Sequence, residues 1–316
     1  MAHLQRKPLN DQLKGLIYLT RWREYVPFVV PLTILGALLA ARPHGILLDW
    51  RLGTVIAANI LAVAYAFMIN DIEDAPEDAL VPERARRNPI TMGMVNIRTG
   101  YTACRIVGSA TLILFALAGT RVFIIGMVIM LLSHMYSWRP VRLKARPVTD
   151  IVAHSLMLSG LLLLAGYFIY HHDPGVVWFV AVGATLFSVY GQLYNQLQDF
   201  DTNKHAGLQN TAIYLGEVAT RRIMHLSAIV SLLCLLVAIF RDVFPVAFLV
   251  AILIGFVGAG LMKTTIDDDM PLLESMEAQA NNRIRGLLVV NMIVAAWLIY
   301  SVGDQVKILQ DLGFDF

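Results

Sequence analysis

Residues 70–78 read Asn70-Asp71-Ile72-Glu73-Asp74-Ala75-Pro76-Glu77-Asp78 and directly follow the apolar run at residues 55–69. In a helix, Asn70, Asp74 and Asp78 are spaced at i, i+4 and i+8, so they lie within about 80° of one face. Their amide and carboxylate oxygens can then converge on one point. Oxygen ligands of this kind suit Mg²⁺, which commonly shares its coordination shell with substrate phosphates. The stretch therefore predicts a magnesium site at the end of an apolar helix.

The same pattern recurs after the apolar run at residues 176–190, where the chain reads Asn195-Gln196-Leu197-Gln198-Asp199-Phe200-Asp201-Thr202-Asn203. Asn195, Asp199 and Asn203 correspond to the three positions of the first stretch. Two acidic helix ends that face each other across a cavity can hold one metal each, with a diphosphate bridging the two ions. A charge run after an apolar span is more often a solvated loop. Its recurrence in the same relation to an apolar run favours the metal interpretation.

The composition indicates a membrane protein. The chain is 57% hydrophobic and only 15% charged, with a mean hydropathy of +0.63, whereas soluble domains have nearer a quarter of their residues charged. No basic stretch with interleaved aromatic residues points to nucleic acid. Cys104 and Cys234 lie in apolar runs, which argues against a disulfide framework or a zinc site.

Nine apolar spans are long enough to cross a bilayer, and the sequence therefore predicts an all-α integral membrane protein with nine transmembrane helices around a central cavity. Residues 1–24 are polar and basic and predict a cytoplasmic amphipathic segment, and residues 1–316 form one predicted domain. The predicted spans are 25–43, 53–70, 101–119, 121–137, 150–170, 175–195, 222–240, 243–262 and 286–303.

The distribution of lysine and arginine predicts the orientation. With a cytoplasmic N-terminus, 20 of the 25 cations lie inside and five outside: Arg42, Arg51, Arg121, Arg241 and Lys307. Both acidic stretches then lie inside, at a cytoplasmic cap formed by the long connections at 71–100, 138–149, 196–221 and 263–285. This layout predicts a multi-pass protein of the plasma or cytoplasmic membrane, with its C-terminus outside.

The connection at residues 138–149 contains four cations within eight residues and no acid among them: Arg139, Arg142, Lys144 and Arg146. This basic loop can be a positive-inside anchor. It can also supply counter-charge to a diphosphate, because phosphate sites commonly combine metals with Arg or Lys. The two interpretations are compatible.

In these features the chain resembles the UbiA superfamily of intramembrane aromatic and lipid prenyltransferases. The likeness rests on the first motif, N-D-x-x-D-x-x-x-D at residues 70–78, and on a basic loop that starts at Tyr136-Ser137 and ends at Arg142-Leu143-Lys144. It also rests on the second motif, from Asp199 through Lys204 and Ala206-Gly207 to Leu215-Gly216, and on the nine-span layout.

The resemblance implies that two Mg²⁺ ions bind the diphosphate of a polyprenyl donor, whose tail lies in a tunnel open to lipid and whose prenyl group passes to a hydrophobic or aromatic acceptor. The implied metal ligands are Asn70, Asp71, Asp74 and Asp78 in the first motif, and Asn195, Asp199, Asp201 and Asn203 in the second. The implied catalytic residues are Asp74, Asp199, Lys144 and Tyr136, with Tyr136 facing the reacting carbon. The implied diphosphate-binding residues are Arg139, Arg142, Lys144 and Lys204.

One position departs from the family pattern. The second motif commonly reads D-x-x-x-D, but here its later position is Asn203 and an acid, Asp201, stands two residues after Asp199. An amide oxygen can bind Mg²⁺ but contributes no charge, so the second site is weaker, uses Asp201, or serves another task.

Several alternatives remain open on the sequence. A terpene cyclase would ionise the same donor and let its own double bond attack, and a transporter could use the acids as an ion path. His134 and His154 can assist deprotonation of an acceptor or be satisfied core residues. Arg21 and Arg23 can contact an acceptor or anchor the first span at the membrane surface. No residue identifies the acceptor.

Overall fold

The computed structural model describes residues 9–46, 48–205, 207, 209–246, 248–250 and 295–301, and these residues are helical with no β-strand. Through residue 240 the α-helices are α1 (Leu9–Thr20), α2 (Trp22–Ala41), α3 (Trp50–Asp78), α4 (Pro82–Ala85), α5 (Ile97–Ala118), α6 (Thr120–Ser137), α7 (Thr149–Ser155), α8 (Leu161–Tyr167), α9 (Val177–Gln198), α10 (Phe200–His205), α11 (Thr211–Leu215) and α12 (Glu217–Phe240). A π-helical turn, Leu156–Gly160, joins α7 to α8.

Seven helical segments in this part of the chain are long and apolar enough to cross a membrane, which makes the protein an integral, multi-pass membrane protein. They are Trp22–His44, Trp50–Asp78, Ile97–Ala118, Thr120–Ser137, Thr149–Tyr167, Val177–Gln198 and Glu217–Phe240. The all-α membrane class is thus confirmed, and the first seven predicted spans each match one segment. The predicted spans at 243–262 and 286–303 fall largely outside the described residues, so the nine-helix count and the cytoplasmic cap stay predictions.

The first motif belongs to a helix longer than the predicted span at 53–70. Helix α3 has 29 residues and continues through the acids to Asp78, which makes it about 43 Å long. Since a hydrocarbon core is about 30 Å thick, the last two turns can lie beyond it. The apolar run alone suggested an earlier end, but Ile72 and Ala75 are buried and continue the packed face between the acids.

Glycines allow two helices to cross in close contact. A Cβ atom on Gly36 of α2 would overlap the carbonyl oxygen of Leu163, and one on Gly166 of α8 would overlap the carbonyl oxygen of Thr33. Close approach of backbones through small residues is a common way to join membrane helices. Asn59 of α3 completes the junction, because its buried amide donates to the Thr33 hydroxyl at 2.8 Å and to the Leu162 carbonyl at 3.1 Å. The crossing fixes α2, α3 and α8 as one scaffold for the motif.

This crossing predicts that the stability of the protein depends strongly on the size of the side chain at position 166. We expect Gly166→Val to lower the midpoint of thermal unfolding in detergent, since the added carbons meet backbone and overpacking costs about 1–3 kcal/mol. Gly53→Ala is the matched control, because no atom lies within 4 Å of a Cβ built there. Equal midpoints for the two variants would contradict the close crossing.

Candidate active site

The oxygens of the first motif converge on one cation of the basic loop. The Lys144 Nζ donates to Asn70 Oδ1 at 2.8 Å and to Asp74 Oδ2 at 2.6 Å. Ser137, at the end of α6, also donates to Asn70 Oδ1, at 3.0 Å. Burial lowers the pKa of the Lys144 ammonium below the usual lysine value, and the neighbouring Asp74 carboxylate opposes that shift. The helical prediction for Asn70 and Asp74 is therefore confirmed, and their shared face is directed at a positive charge.

Two arginines extend this contact along α3. Arg142 donates to Asp74 Oδ1 at 3.3 Å and makes two hydrogen bonds to Glu77, one of them very short. Arg139 donates twice to the Glu73 carbonyl, at 3.2 and 3.1 Å, and lies 3.7 Å from the Glu77 carboxylate. Charge-assisted hydrogen bonds of this kind are stronger than neutral ones. The basic loop is thus docked on the acidic end of α3 by three successive cations.

The backbone of the basic loop is strained at both ends of its ordered turn. Arg142 has a φ of 46° and Val148 a φ of 69°, and positive φ is especially unusual for a β-branched residue such as Val148. Such conformations cost about 1–3 kcal/mol each and persist where surrounding contacts impose them. Here the contacts are the ion pairs of Arg142 and a hydrogen bond of 2.7 Å from the Val148 N–H to the Thr211 hydroxyl.

A buried carboxylate joins the basic loop to the segment after the second motif. Asp150, at the start of α7, is 1% exposed and accepts hydrogen bonds from Gln196 Nε2 at 2.7 Å, from the Thr211 N–H at 2.9 Å and from the Thr211 hydroxyl. Gln196 in turn accepts from the Ala212 N–H at 3.0 Å. The sequence analysis did not identify Asp150. Its only signal is an acid at the first residue of a predicted apolar span.

The second motif does not repeat the helical geometry of the first. Helix α9 ends at Gln198, Asp199 follows it as the C-terminal cap, and a new short helix, α10, begins at Phe200. The helix that carries Asn195 therefore ends before Asp199. The metal-binding role of Asn195, Asp199, Asp201 and Asn203 stays a prediction. Asp199 and Asp201 are exposed, as is Lys204, whose ammonium lies 6.0 Å from the Phe200 ring centroid. Within the described residues, no hydrogen bond or ion pair joins the two motifs.

Asp71 and Asp78 contact segments on either side of α3. Asp71 is buried and lies 3.0 Å from the Arg21 guanidinium, at the break between α1 and α2, so Arg21 pairs with an acid of the first motif. Asp78 accepts from the amide of the fully buried Asn88 at 2.9 Å, and the same amide donates to the Asp71 carbonyl at 2.7 Å. These contacts hold the N-terminal segment and the α3–α5 connection. The metal-binding role of Asp71 and Asp78 stays a prediction.

Tyr136 lies near a histidine with an unused nitrogen. The Tyr136 and His154 ring centroids are 6.1 Å apart. The buried His154 Nδ1 and Ser155 Oγ have no hydrogen-bond partner among the described residues. His134, in contrast, has a hydrogen-bond partner, since its Nδ1 bonds the Tyr65 hydroxyl at 2.9 Å.

The donor set fits a hard cation such as Mg²⁺ at the first motif. Amide and carboxylate oxygens from Asn70 and Asp74 already meet at one positively charged atom, Lys144 Nζ. Across the described residues, no group of three or more His, Cys, Asp or Glu side chains is arranged as a metal site. Asp74 and Glu77 are instead paired with Arg142 and Lys144 of the basic loop.

A cavity of about 630 Å³ lies beside the second motif and is lined by residues that include Phe200, Lys204 and Arg222.

The hydrogen bonds of Asp150 predict that this residue stabilises the folded protein without taking part in catalysis. Asp150→Asn replaces an acceptor by a donor opposite the Thr211 N–H, and we expect a loss of about 1–3 kcal/mol of stability, with faster proteolysis within residues 199–210. Asp173→Asn is the control, because Asp173 is exposed and, among the described residues, its carboxylate accepts only from the Gly175 N–H, in the connection before α9. Unchanged cleavage in Asp150→Asn would show that the junction does not hold this segment.

Comparisons with known proteins agree with the all-α membrane fold. A sequence model described as the UbiA prenyltransferase family matches residues 29–271. The lycopene elongase/hydratase of Haloarcula japonica is 26% identical over 217 residues, covering 67% of this chain and 71% of that protein. A UbiA homolog from Archaeoglobus fulgidus bound to GPP and Mg²⁺ has a TM-score of 0.60 at 19% identity, covering 92% of this chain and 97% of that one. The apo UbiA homolog from Aeropyrum pernix K1 has a TM-score of 0.67 at 17% identity, covering 88% and 98%.

Proposed function

The chain belongs to the UbiA prenyltransferase family, and we propose that it transfers a polyprenyl group from an allylic polyprenyl diphosphate to a hydrophobic or aromatic acceptor within the membrane. The observation that carries this proposal is the convergence of Asn70 and Asp74 on Lys144, with Arg142 beside it. Oxygen ligands and phosphate-binding cations are thereby held in one contact. The solved Archaeoglobus fulgidus homolog bound to GPP and Mg²⁺ supports the same pairing of ligands here.

An exchange of partners explains how this site receives its substrate. Lys144 and Arg142 neutralise Asp74 in the structure. When a diphosphate enters, its oxygens can take over these two cations, which frees Asn70 and Asp74 to hold Mg²⁺. Bound Mg²⁺ supplies positive charge to the diphosphate as the allylic carbon–oxygen bond breaks. Acids and cations thus change partners without leaving a charge uncompensated.

The remaining residues complete the reaction. The electron pair of the breaking carbon–oxygen bond goes to the diphosphate, where Lys144 and Arg142 donate hydrogen bonds to the leaving group. Arg139 and Lys204 are further candidates for the diphosphate, and Tyr136 faces the cation-like allylic carbon. The acceptor forms a bond to that carbon and gives up a proton. His154 is suited to receive it, because its Nδ1 has no hydrogen-bond partner among the described residues.

The second motif is proposed to hold a second Mg²⁺ through Asp199, with Asn195, Asp201 and Asn203 as further ligands. Asp199 supports this role, since it is exposed and its carboxylate pairs with no described residue. The two-ion arrangement, a single domain over residues 1–316, nine transmembrane helices and a cytoplasmic cap belong to the same proposal. So do a cytoplasmic N-terminus and an outside C-terminus.

A direct test compares acids of the two motifs. We expect Asp74→Asn and Asp199→Asn each to lower turnover about 100-fold or more, because each removes charge that holds Mg²⁺, while both proteins still insert and purify as folded monodisperse species. Asp173→Asn, at an exposed outer connection, is the control and should keep the wild-type rate. Wild-type turnover in either motif variant would overturn the metal assignment.

A second test separates the exchange of partners from a purely structural role of Lys144. In Lys144→Met the oxygens of Asn70 and Asp74 lose their cation, so we expect Mg²⁺ alone to bind about 10-fold more tightly and a non-reactive thiolodiphosphate donor analogue about 10-fold more weakly. Calorimetric titration of each ligand measures both changes. Arg146→Met is the control, because Arg146 is an exposed cation of the same loop. Weaker binding of both ligands would indicate a collapsed site and contradict the exchange.

Product analysis distinguishes transfer from cyclisation. The acceptor panel includes aromatic acids, glycerol-phosphate lipids and lycopene, the last because of the similarity to the Haloarcula japonica lycopene elongase/hydratase. A prenylated acceptor supports transfer. A cyclised product formed equally without acceptor supports the cyclase alternative.

A further inference from the structure

A groove lies on a face of α3 next to the one that bears Asn70 and Asp74. It has a volume of about 1120 Å³ and is lined by residues of α3, α5 and α6. On α3 its lining residues are Tyr65, Ile69 and Glu73, which follow one another at i, i+4 and i+8. The face used by the first motif is turned about 100° away. The groove therefore differs from the proposed diphosphate site in its position, and the two adjoin at Glu73, which pairs with Arg139, and at Trp138, where α6 leads into the basic loop.

One end of the groove carries uncompensated positive charge. Arg98 and Arg105 both line it and are exposed. They lie seven residues apart on α5, which places them on one face about 10 Å apart along the helix. Neither makes an ion pair within the described part of the chain, and Arg105 has only a hydrogen bond of 3.5 Å to the Tyr101 carbonyl.

The acid that lines the groove, Glu73, already has partners inside the protein. Among the described residues that line the groove, Glu73 is the only acid. It accepts from the Tyr101 hydroxyl at 2.8 Å and lies 3.8 Å from the Arg139 guanidinium. Glu73 is also buried, so its charge is satisfied inside the protein. Among the described residues, no acid remains to pair with the two arginines.

The rest of the groove is apolar and suits a hydrocarbon chain. Its lining includes Leu112, Met127, Met130 and Leu131, together with Gly108, which lies close to the Tyr65 ring. Methionine side chains adapt to irregular apolar ligands. The lining thus combines two cations in the first turns of α5 with apolar side chains farther along α5 and on α6, which matches the phosphate and acyl chain of a phospholipid.

The position of Arg105 along α5 favours a lipid headgroup as the anion. It lies eight residues after Ile97, the first residue of α5, which is about 12 Å along the helix. An unpaired arginine at that depth is costly in a bilayer. Basic pockets between transmembrane helices are known to bind anionic lipid headgroups.

We propose that this groove binds one anionic glycerophospholipid, with its phosphate between Arg98 and Arg105 and one acyl chain along Leu112, Met127 and Leu131. The bound lipid would cover the side of α3 that the described residues leave open. The site differs from the donor site in its residues and in its ligand, and it does not depend on the proposed reaction.

The test compares lipids that differ only in headgroup. Delipidated protein in detergent receives dioleoyl phosphatidylglycerol or dioleoyl phosphatidylcholine, and native mass spectrometry counts the retained lipid while a thermal scan measures stability. We expect one phosphatidylglycerol to be retained and to raise the unfolding midpoint, with phosphatidylcholine retained at least 10-fold less. Equal retention of the two lipids would overturn the proposal.

Variants locate the site. Arg98→Gln/Arg105→Gln should weaken phosphatidylglycerol retention about 10-fold, and Thr102→Glu, an exposed change in the lining between the two arginines, should do the same by repulsion without disturbing the fold. The control is Arg86→Gln/Arg87→Gln, which removes two exposed arginines of the α3–α5 connection and should leave retention unchanged. Equal losses in the control, or none in Thr102→Glu, would refute the location.

Two further ligands test the identity of the anion. Inorganic phosphate alone should give no stabilisation, because the apolar part of the groove stays unfilled. Geranylgeranyl diphosphate should not displace the retained phosphatidylglycerol. Protection by phosphate equal to that by lipid, or displacement by the donor, would contradict the assignment to a phospholipid.

Discussion

The structure of the site depends on the ion pairs between the acidic end of α3 and the basic loop at residues 138–149. Asp74 and Glu77 repel each other at the end of one helix, and Lys144 and Arg142 repel each other in one short loop. Brought together at hydrogen-bond distance, the two sets neutralise one another and impose an unusual backbone conformation at Arg142. In the proposed reaction, a substrate that brings both negative charge and a metal would replace these contacts one for one.

The basic loop also connects the first motif to the segment that follows the second. Its first half is docked on α3, and its end is joined to the segment after the second motif through Asp150, Val148 and Thr211. This junction is made of hydrogen bonds to a buried carboxylate, which are costly to leave unsatisfied. The close crossing of α2 and α8 at Gly36 and Gly166 then fixes the scaffold that presents α3.

The sequence predicts the features that depend on local pattern. Hydropathy alone identifies the helical membrane class and seven matching spans, and the spacing of Asn70 and Asp74 predicts their shared face. The apolar span ends at residue 70, but the spacing of the acids predicts that the helix continues, and α3 does reach Asp78. The cations of residues 139–144 that pair with this end give no local signal. The break at Asp199 also gives no local signal, since the second motif repeats the first in letters but its helix ends earlier. Asn88 and Asp150 give almost no local signal because their partners are distant in sequence.

The most direct test of Mg²⁺-dependent prenyl transfer is the release of diphosphate by the detergent-purified protein. The donors are geranyl, farnesyl and geranylgeranyl diphosphates, each measured in Mg²⁺ and in EDTA across an acceptor panel. We expect diphosphate release in Mg²⁺ that EDTA abolishes, together with a prenylated acceptor identified by mass spectrometry. No release from any donor by protein shown to be folded would contradict this expectation and leave the paired acids and cations as a binding or ion site.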